Sequence, residues 1–180
     1  MATHPAGNTT MTTSAHPIGT EFIITRTFGA PRELVWKAWT ERDRLMCWFG
    51  PKGVTISKAD LDFRPGGIFH YCMATPDGHE MWGKWTFLEI TPPEQLIVIV
   101  SFSDANQGIT RHPLSATWPL ETLSNTTFTE HDSRTTLEIR WSVYNGTAEE
   151  QATFDGAHDR MKQGWTGTLD QLEEYLAAAK

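Results

Sequence analysis

The alternation of apolar and polar residues predicts that most of the chain forms β-strands. β-Branched and aromatic residues recur at about every second position in several segments that Gly, Pro or Asp turns separate. The predicted strands are residues 20–28, 54–63, 68–74, 79–90, 95–102, 122–130 and 134–144. The turn Thr75-Pro76-Asp77-Gly78 is typical of a hairpin, because Pro fixes φ and Gly accepts a positive φ.

Two short helices are predicted after the first strand. Pro31 stands where a first helical residue is often found, and Val35 and Trp39 lie four residues apart on one helical face. Thr40 with Asp43 resembles a capping box, which would open a second helix. A Gly-Pro pair then ends the helical segment.

The C-terminal segment carries the clearest helical period. Its apolar residues are spaced three or four positions apart, and they are Phe154, Ala157, Met161, Trp165, Leu169, Leu172 and Leu176. Thr147 with Glu150 is a candidate capping box, so the helix would contain about thirty residues and measure roughly 45 Å. Gly156, Gly164 and Gly167 within it indicate either a close approach to a strand or a bound molecule, or a kink.

This order of elements predicts an α+β fold in which an antiparallel sheet packs against one long helix. A chain of 180 residues has the length of one domain, which we place at residues 19–180. Residues 1–18 are rich in Thr, Ala, His and Pro and contain neither a basic nor an apolar segment. They predict a disordered tail rather than a signal peptide.

Composition excludes several classes of protein. The net charge is −7 and the basic residues form no stripe, which makes nucleic acid and anionic membrane poor partners. No apolar stretch is long enough to span a bilayer. Cys47 and Cys72 lie far apart and predict neither a disulfide framework nor a metal site, so a reducing cytoplasm is the expected location.

Tryptophan is the unusual component, with eight copies in a chain that is 39% hydrophobic. Each Trp can bury roughly 150–250 Å², so these residues either fill the core or surround a space within it. Phe69, Tyr71 and Met73 share one face of a strand, as do Trp85 and Phe87 on the next, and an apolar wall with one hydroxyl suits a small-molecule pocket. The candidate cavity residues are Trp39, Trp48, Phe63, Phe69, Tyr71, Met73, Trp85, Phe87, Phe102, Trp118, Trp141, Met161 and Trp165.

Catalytic and metal motifs are weak. His79-Glu80 begins like a zinc-protease motif, but Gly83 stands in place of the second His. Candidate acids and bases near predicted turns or on a helix face are His79, Glu80, Asp104, His112 and His158. We expect these side chains to be solvated, and we predict no catalytic residue, no metal and no cofactor. Residues 103–118 show little periodicity and have the length of a functional loop or lid.

Five segments carry a resemblance to a known family. They are VWKAWTERDRLMCWFGP (Val35–Pro51), Asp60–Gly67, Asp77–Glu80, Glu89–Leu96 and Gly164–Leu169. In this order and spacing they resemble the START-like (SRPBCC) superfamily across residues 20–177. The branch that they resemble more closely is that of the activator of heat-shock-protein-90 ATPase homologues.

The resemblance implies a helix-grip fold. In such a fold a curved antiparallel sheet of six to seven strands surrounds the long C-terminal helix, and two short helices close one end. The resemblance also implies a hydrophobic cavity, which relatives use for lipids, sterols, polyketides or plant hormones, and it implies no shared catalytic set. Residues 104–118 are longer than the corresponding hairpin of simple members and would fold over the cavity entrance.

Two functions follow from the resemblance. One is binding of a small hydrophobic ligand, with or without a cyclase or hydrolase activity, and the other is activation of a chaperone. Eukaryotic activators carry a separate N-terminal chaperone-binding domain, where this chain has a short tail, so we favour ligand binding. A monomer and a homodimer both agree with the pattern, because an exposed edge strand can pair two copies.

Overall fold

The structure is a computed structural model that describes residues 19–179, and the tail predicted for residues 1–18 lies outside them. The strands are β1 (Phe22–Phe28), β2 (Thr55–Leu61), β3 (Ile68–Ala74), β4 (Glu80–Thr91), β5 (Gln95–Ser103), β6 (Ile109–Thr110), β7 (Thr122–His131) and β8 (Arg134–Val143). The helices are α1 (Arg32–Thr40), α2 (Arg42–Trp48), α3 (Ala148–Asp155) and α4 (His158–Ala178). The predicted order is confirmed for the first strand, the two short helices and the strands that follow, apart from one additional strand and a C-terminal helix that is divided in two.

The strands form one antiparallel sheet in the order β1-β8-β7-β5-β4-β3-β2, and the short strand β6 pairs with β5. The sheet curves around α4, so the predicted α+β helix-grip fold is confirmed. Within residues 19–179, β6 is the one strand that the sequence does not predict. It lies inside the segment that was expected to be irregular, and it has two residues.

The register of the sheet decides which side chains face α4. Tyr71 on β3 lies opposite Gly83 on β4, which in turn lies opposite Phe102 on β5. Because alternate residues of a strand share a face, Phe69 and Met73 lie on the same face as Tyr71, and all three belong to the main hydrophobic core. The predicted face of β3 is therefore the inner face of the sheet.

The prediction of one continuous C-terminal helix is wrong, because the chain breaks between α3 and α4. Gly156 is the C-cap of α3, and its N–H donates to the Ala152 carbonyl at 3.1 Å. The predicted capping box is present at the start of α3, where the Glu150 N–H donates to Thr147 Oγ1 at 3.2 Å. Of the two interpretations of the helical glycines, a kink applies to Gly156. Gly164 lies within α4, where a Cβ would meet no atom within 4 Å.

The capping box predicted for α2 is also wrong. Thr40 still belongs to the last turn of α1, and its hydroxyl donates to the Trp36 carbonyl at 2.8 Å. Glu41 is the N-cap of α2, and its side chain makes no capping hydrogen bond. The hydroxyl of Thr40 is occupied by its own helix and so does not cap the next one. Pro31 likewise lies one residue earlier than predicted, at the N-cap of α1.

The helices cover the inner face of the sheet unequally. α1 and α2 press fully buried side chains such as Val35 and Leu45 into the core, and the C-terminal part of α4 does the same with Leu169 and Leu172. The N-terminal part of α4 is only partly packed, and Gly164 there is exposed. Within residues 19–179, none of the helices has both the length and the apolar character needed to cross a bilayer.

Candidate functional site

A cavity of about 260 Å³ lies where α4 is only partly packed against the sheet. The residues that line it are Phe49, Gly50, Pro51, Tyr71, Met73, Met81, Trp82, Gly83, Val100, Ser101, Phe102, Trp118, Pro119, Thr122, Trp141, Met161, Gly164, Trp165 and Thr168. Its walls therefore come from the end of α2, from strands β3, β4, β5, β7 and β8, from the loop before β7, and from α4.

Seven of the thirteen candidate residues line this cavity, and they are Tyr71, Met73, Phe102, Trp118, Trp141, Met161 and Trp165. The other six lie elsewhere in the interior, and they are Trp39, Trp48, Phe63, Phe69, Trp85 and Phe87. Strand alternation and helical period identified side chains that face inward. They did not distinguish the covered part of the inner face from the open part.

The six residues away from the cavity are packed under α1 and α2. Trp39 lies between Trp85 and Trp165, with ring centroids 5.9 Å and 6.2 Å away and nearly parallel planes. The Trp48 indole packs on Trp39 at 5.1 Å and donates its N–H to the Ala38 carbonyl at 2.9 Å. Rings packed edge to face and in stacks fill this part of the interior without leaving a space for a ligand.

Twelve lining residues were not predicted, and two sequence signals could have identified some of them. They are Phe49, Gly50, Pro51, Met81, Trp82, Gly83, Val100, Ser101, Pro119, Thr122, Gly164 and Thr168. Gly164 and Thr168 share the helical face of Met161 and Trp165, because they follow Met161 by three and seven positions. Val100 precedes Phe102 by two positions and so shares its face of the strand.

Tyr71 is the polar centre of the wall. Its ring lies over Gly83, and a Cβ at that position would overlap the Tyr71 hydroxyl end of the ring. Burial raises the pKa of the Tyr71 hydroxyl well above its ordinary value, because the phenolate would lose its hydration. The side chain therefore stays protonated at neutral pH, and its O–H can donate a hydrogen bond into the cavity.

The rest of the wall is uncharged. Among the described residues that line the cavity there is no Asp, Glu, Lys, Arg or His, and Tyr71 is the one titratable group. Two of the other hydroxyls are already hydrogen-bonded to backbone carbonyls, Thr168 to Gly164 at 3.0 Å and Thr122 to Val100 at 3.5 Å. A charged ligand group would find no counter-ion on this surface.

The loop before β7 brings Trp118 to the cavity because it is tied to α3. Arg111 forms a charge-assisted hydrogen bond with Glu150, and the Thr153 hydroxyl donates to Thr117 at 2.8 Å. The pKa of Glu150 is lowered first by Arg111 and then by the hydrogen bond from the Thr147 backbone. The predicted loop at residues 103–118 thus carries part of the wall and is held by the helix that begins with the capping box.

Three of the candidate acids and bases make contacts away from the cavity wall. His79 lies 3.4 Å from Asp77, and both side chains are exposed. Glu80 accepts a hydrogen bond from Lys58 at 3.1 Å on the surface. The carboxylate of Asp104 accepts hydrogen bonds from backbone N–H groups of its own turn. Each group is explained by a local structural role.

The two remaining candidates are histidines outside the cavity wall. His112 Nδ1 accepts a hydrogen bond from the Leu114 N–H at 2.9 Å. His158 packs against Phe154 and Phe22, with ring centroids 5.3 Å and 5.7 Å away. Within residues 19–179, no group of three or more His, Cys, Asp or Glu side chains is arranged to hold a metal ion.

A buried His–Ser pair lies on the outer face of the sheet and was not predicted. His70 Nε2 is 3.0 Å from Ser103 Oγ and 3.0 Å from the Asp104 carbonyl, and the ring stacks on Trp82 at 4.7 Å. The Asp104 carbonyl also accepts a hydrogen bond from the Ser103 hydroxyl at 3.1 Å. The side chains of His70 and Ser103 are both buried and neither lines the cavity, which makes the pair a structural contact rather than a nucleophile and its base.

An antiparallel sheet curved around a C-terminal helix, with an apolar cavity beneath that helix, defines a START-like helix-grip domain. Residues 29–177 match the family model described as Activator of Hsp90 ATPase homolog 1-like protein. The chain belongs to that family, and the resemblance stated from the sequence is confirmed.

Solved structures show the same fold. A crystal structure of a protein from Nitrosomonas europaea is 26% identical, with a TM-score of 0.70 over 89% of this chain and 96% of that one. A solution structure of a protein from Arthrobacter aurescens is also 26% identical, with a TM-score of 0.71 over 88% and 86% of the two chains. The AHSA1 protein of Silicibacter pomeroyi, 18% identical with a TM-score of 0.69 over 89% of this chain and 100% of that one, shares the fold. No curated protein matches the chain.

Proposed function

We propose that this protein binds a small, uncharged, hydrophobic molecule in the cavity beneath α4. The observation that carries the proposal is a space of about 260 Å³ with an aromatic wall and no charged side chain among its described lining residues. An apolar cavity of ~150 Å³ accommodates benzene, so by proportion this one accommodates about ten non-hydrogen atoms. That is the size of two fused aromatic rings, and a longer molecule would extend through the opening beside Gly164.

The hydroxyl of Tyr71 would orient such a ligand. A tyrosine hydroxyl is protonated at neutral pH even at its ordinary pKa, and burial raises the pKa of Tyr71 further, so Tyr71 is a hydrogen-bond donor rather than a base. A ligand oxygen or nitrogen that accepts this bond would be fixed relative to the aromatic wall. The same property favours binding over a cyclase or hydrolase activity, because those reactions need a group that takes up or releases protons near neutral pH.

A pair of fluorescent probes tests whether the binding site is uncharged. N-Phenyl-1-naphthylamine is neutral, and 8-anilino-1-naphthalenesulfonate has the same ring systems with a sulfonate added. We expect the neutral probe to quench Trp emission and to raise the melting temperature as its concentration increases over Kd. The sulfonate should bind much more weakly, even at high salt, where repulsion by the net charge is screened. Equal affinity for the two probes would contradict an uncharged site that encloses the naphthalene ring.

Two glycines of α4 provide matched variants for the location of the site. Gly164 lines the cavity, whereas Gly167 does not and has only Lys52 near the position of a Cβ, at 3.9 Å. Both substitutions, Gly164→Leu and Gly167→Leu, raise helix propensity equally. We expect Gly164→Leu to abolish binding of N-phenyl-1-naphthylamine and Gly167→Leu to leave it unchanged. If neither variant lost affinity for the probe, the probe would bind at a different site.

Activation of a chaperone is the second candidate function, and the description of the family is the observation that favours it. It predicts that adding this protein increases the rate of ATP turnover by an Hsp90-type chaperone. No change at a micromolar excess of this protein would count against that function. A positive result would be compatible with ligand binding, and Gly164→Leu would then show whether the two activities depend on the same cavity.

A further inference from the structure

A second and much smaller void, of about 10 Å³, lies behind the cavity. Its lining residues are Trp39, Trp85, Leu96, Val98, Val100, Ser124, Thr126, Trp141 and Trp165. Val100, Trp141 and Trp165 line both spaces, so the void is the neighbour of the cavity on the side of the packed core. Its volume is close to the minimum that holds one water molecule.

Two of the tryptophans that line this void have an unpaired indole N–H. Trp39 Nε1 and Trp141 Nε1 are both inaccessible to solvent and have no hydrogen-bond partner among residues 19–179. Trp39 is only 3% exposed, so bulk water does not satisfy its N–H. By contrast, the indole of Trp48 donates to the Ala38 carbonyl at 2.9 Å. Buried donors are nearly always paired, so two unpaired ones on residues that line the same void require an explanation.

Strand β7 adds hydroxyl groups to the same place. Ser124 and Thr126 share the inner face of β7 with Phe128, and both are buried. Ser124 lies directly opposite Trp141 in the register of β7 and β8. Core-facing strand positions usually hold apolar residues, so two successive hydroxyls here are as unusual as the unpaired indoles.

We propose that the void is a binding site for a single oxygen atom. A water oxygen there accepts the N–H groups of Trp39 and Trp141 and donates to the hydroxyl oxygens of Ser124 and Thr126. A ligand carbonyl oxygen accepts the same two N–H groups with its two lone pairs. Four polar partners are the number that a buried water molecule can use, and two N–H donors require an acceptor. The oxygen comes from a water molecule or from the end of the ligand in the adjacent cavity. A methyl group of similar size would leave both donors unpaired.

A crystal structure of the ligand-free protein tests the site itself. We expect electron density for one oxygen atom within about 3.2 Å of both indole nitrogens. An empty void would overturn the proposal. This measurement does not depend on ligand binding, so it stands even when the proposed function fails.

A matched pair of ligands distinguishes the two sources of the oxygen, and this comparison rests on the proposed function. 2-Acetonaphthone carries a carbonyl oxygen, and 2-isopropenylnaphthalene has a CH₂ group in its place. If the ligand supplies the oxygen, the ketone should bind roughly tenfold more tightly, since one such hydrogen bond contributes about 1.4 kcal/mol. The crystal structure of the complex should then show the carbonyl in the void. Equal affinities, with the water retained in the complex, would assign the oxygen to water.

Spectroscopy of the indole protons tests the role of the hydroxyls. Thr126→Val removes a hydroxyl with almost no change of shape, whereas Thr126→Ser retains it. We expect the Trp39 and Trp141 indole N–H resonances to move in Thr126→Val and to stay near their original positions in Thr126→Ser. The Trp48 resonance is the internal reference, because its N–H is bonded to a backbone carbonyl. Unchanged Trp39 and Trp141 resonances in both variants would overturn the assignment.

Discussion

The interior of this domain has two halves of similar aromatic content and different packing. In the packed half, Trp39 of α1 contacts both Trp48 of α2 and Trp85 of the sheet. In the open half, Trp118 and Trp141 line a cavity of about 260 Å³ beneath the N-terminal part of α4. Trp165 belongs to both, because it stacks on Trp39 and lines the cavity.

The difference shows that abundant tryptophan does not by itself create a cavity. In the packed half, two helices supply fully buried side chains such as Val35 and Leu45, which close the space between the rings. In the open half, α4 presents Gly164 towards the space, and the adjacent loop contributes one large side chain, Trp118. The cavity therefore depends on which helix and loop residues cover the sheet, and not on the residues of the sheet itself.

The largest expected effect is a difference in unfolding free energy between a variant of the packed half and a variant of the open half. Trp39→Ala removes the central ring of the packed half, and loss of a fully buried Trp costs about 3–5 kcal/mol of unfolding free energy. Trp118→Ala, in the open half, should cost about 1 kcal/mol, because its ring is half-buried and already borders a space. Urea denaturation followed by circular dichroism measures both. Similar losses in the two variants would mean that the halves do not differ in packing.

The second effect concerns the glycine that makes room for Tyr71. Gly83→Ala should destabilise the protein by about 1–3 kcal/mol, because the added methyl overlaps the Tyr71 ring and forces it to move. The displaced ring would enter the cavity, so binding of N-phenyl-1-naphthylamine should fall as well. Thermal denaturation and a fluorescence titration measure the two effects.

Gly164→Ala is the control for that substitution. A Cβ at Gly164 meets no atom within 4 Å, and alanine in a helix interior is more favourable than glycine by about 1 kcal/mol. We therefore expect the melting temperature to rise in Gly164→Ala and to fall in Gly83→Ala. If both melting temperatures changed with the same sign, either Gly164 would lack room for a methyl group or Gly83 would have it.

The third effect concerns the support of the open half. Thr147→Ala removes the N-cap of α3, which typically costs about 1 kcal/mol. Because Glu150 belongs to the same capping box and also holds Arg111, the loop that carries Trp118 should loosen. Hydrogen exchange of the loop amides should increase, and exchange within α1 should not change. Uniform acceleration in both regions would indicate general destabilisation instead.

Sequence patterns predicted the fold well because its signals are local. The Thr147–Glu150 capping box and the inner face of β3 were visible within a few residues of chain, and the structure contains both. The errors are local as well. Thr40 was assigned to a cap although its hydroxyl bonds within α1, and Gly156 interrupts a helical period that continues on both sides of it.

The cavity was less predictable because it depends on pairing across the sheet and on helix placement. Trp85 and Phe102 both alternate correctly along their strands, yet only Phe102 lines the cavity, because α1 places Trp39 over Trp85. The hydroxyls of Ser124 and Thr126 suggested no inner face at all, since alternating Ser and Thr are common on exposed strands. Their orientation becomes evident only from the register with Trp141.

The smallest effect is a pH dependence that should originate in the open half. Burial lowers the pKa of His112, whose Nδ1 accepts the Leu114 N–H and whose ring packs on Phe102 and Trp118. In the unfolded chain the pKa of His112 is about 6.5, so on acidification the unfolded chain binds this proton at a higher pH than the folded chain does. Stability is at its full value above that pH and falls as the pH decreases through the folded pKa. Melting temperatures between pH 7.5 and about 5.5 measure the loss.

His112→Asn isolates this contribution from those of the other histidines. The Asn side-chain oxygen can accept the Leu114 N–H in place of Nδ1, but it does not titrate. We expect the variant to lose less stability than the parent protein over the same pH range, with a small difference because His112 is partly exposed. Identical pH profiles would show that protonation of His112 does not disturb the loop. The comparison between the two halves would then rest on packing alone.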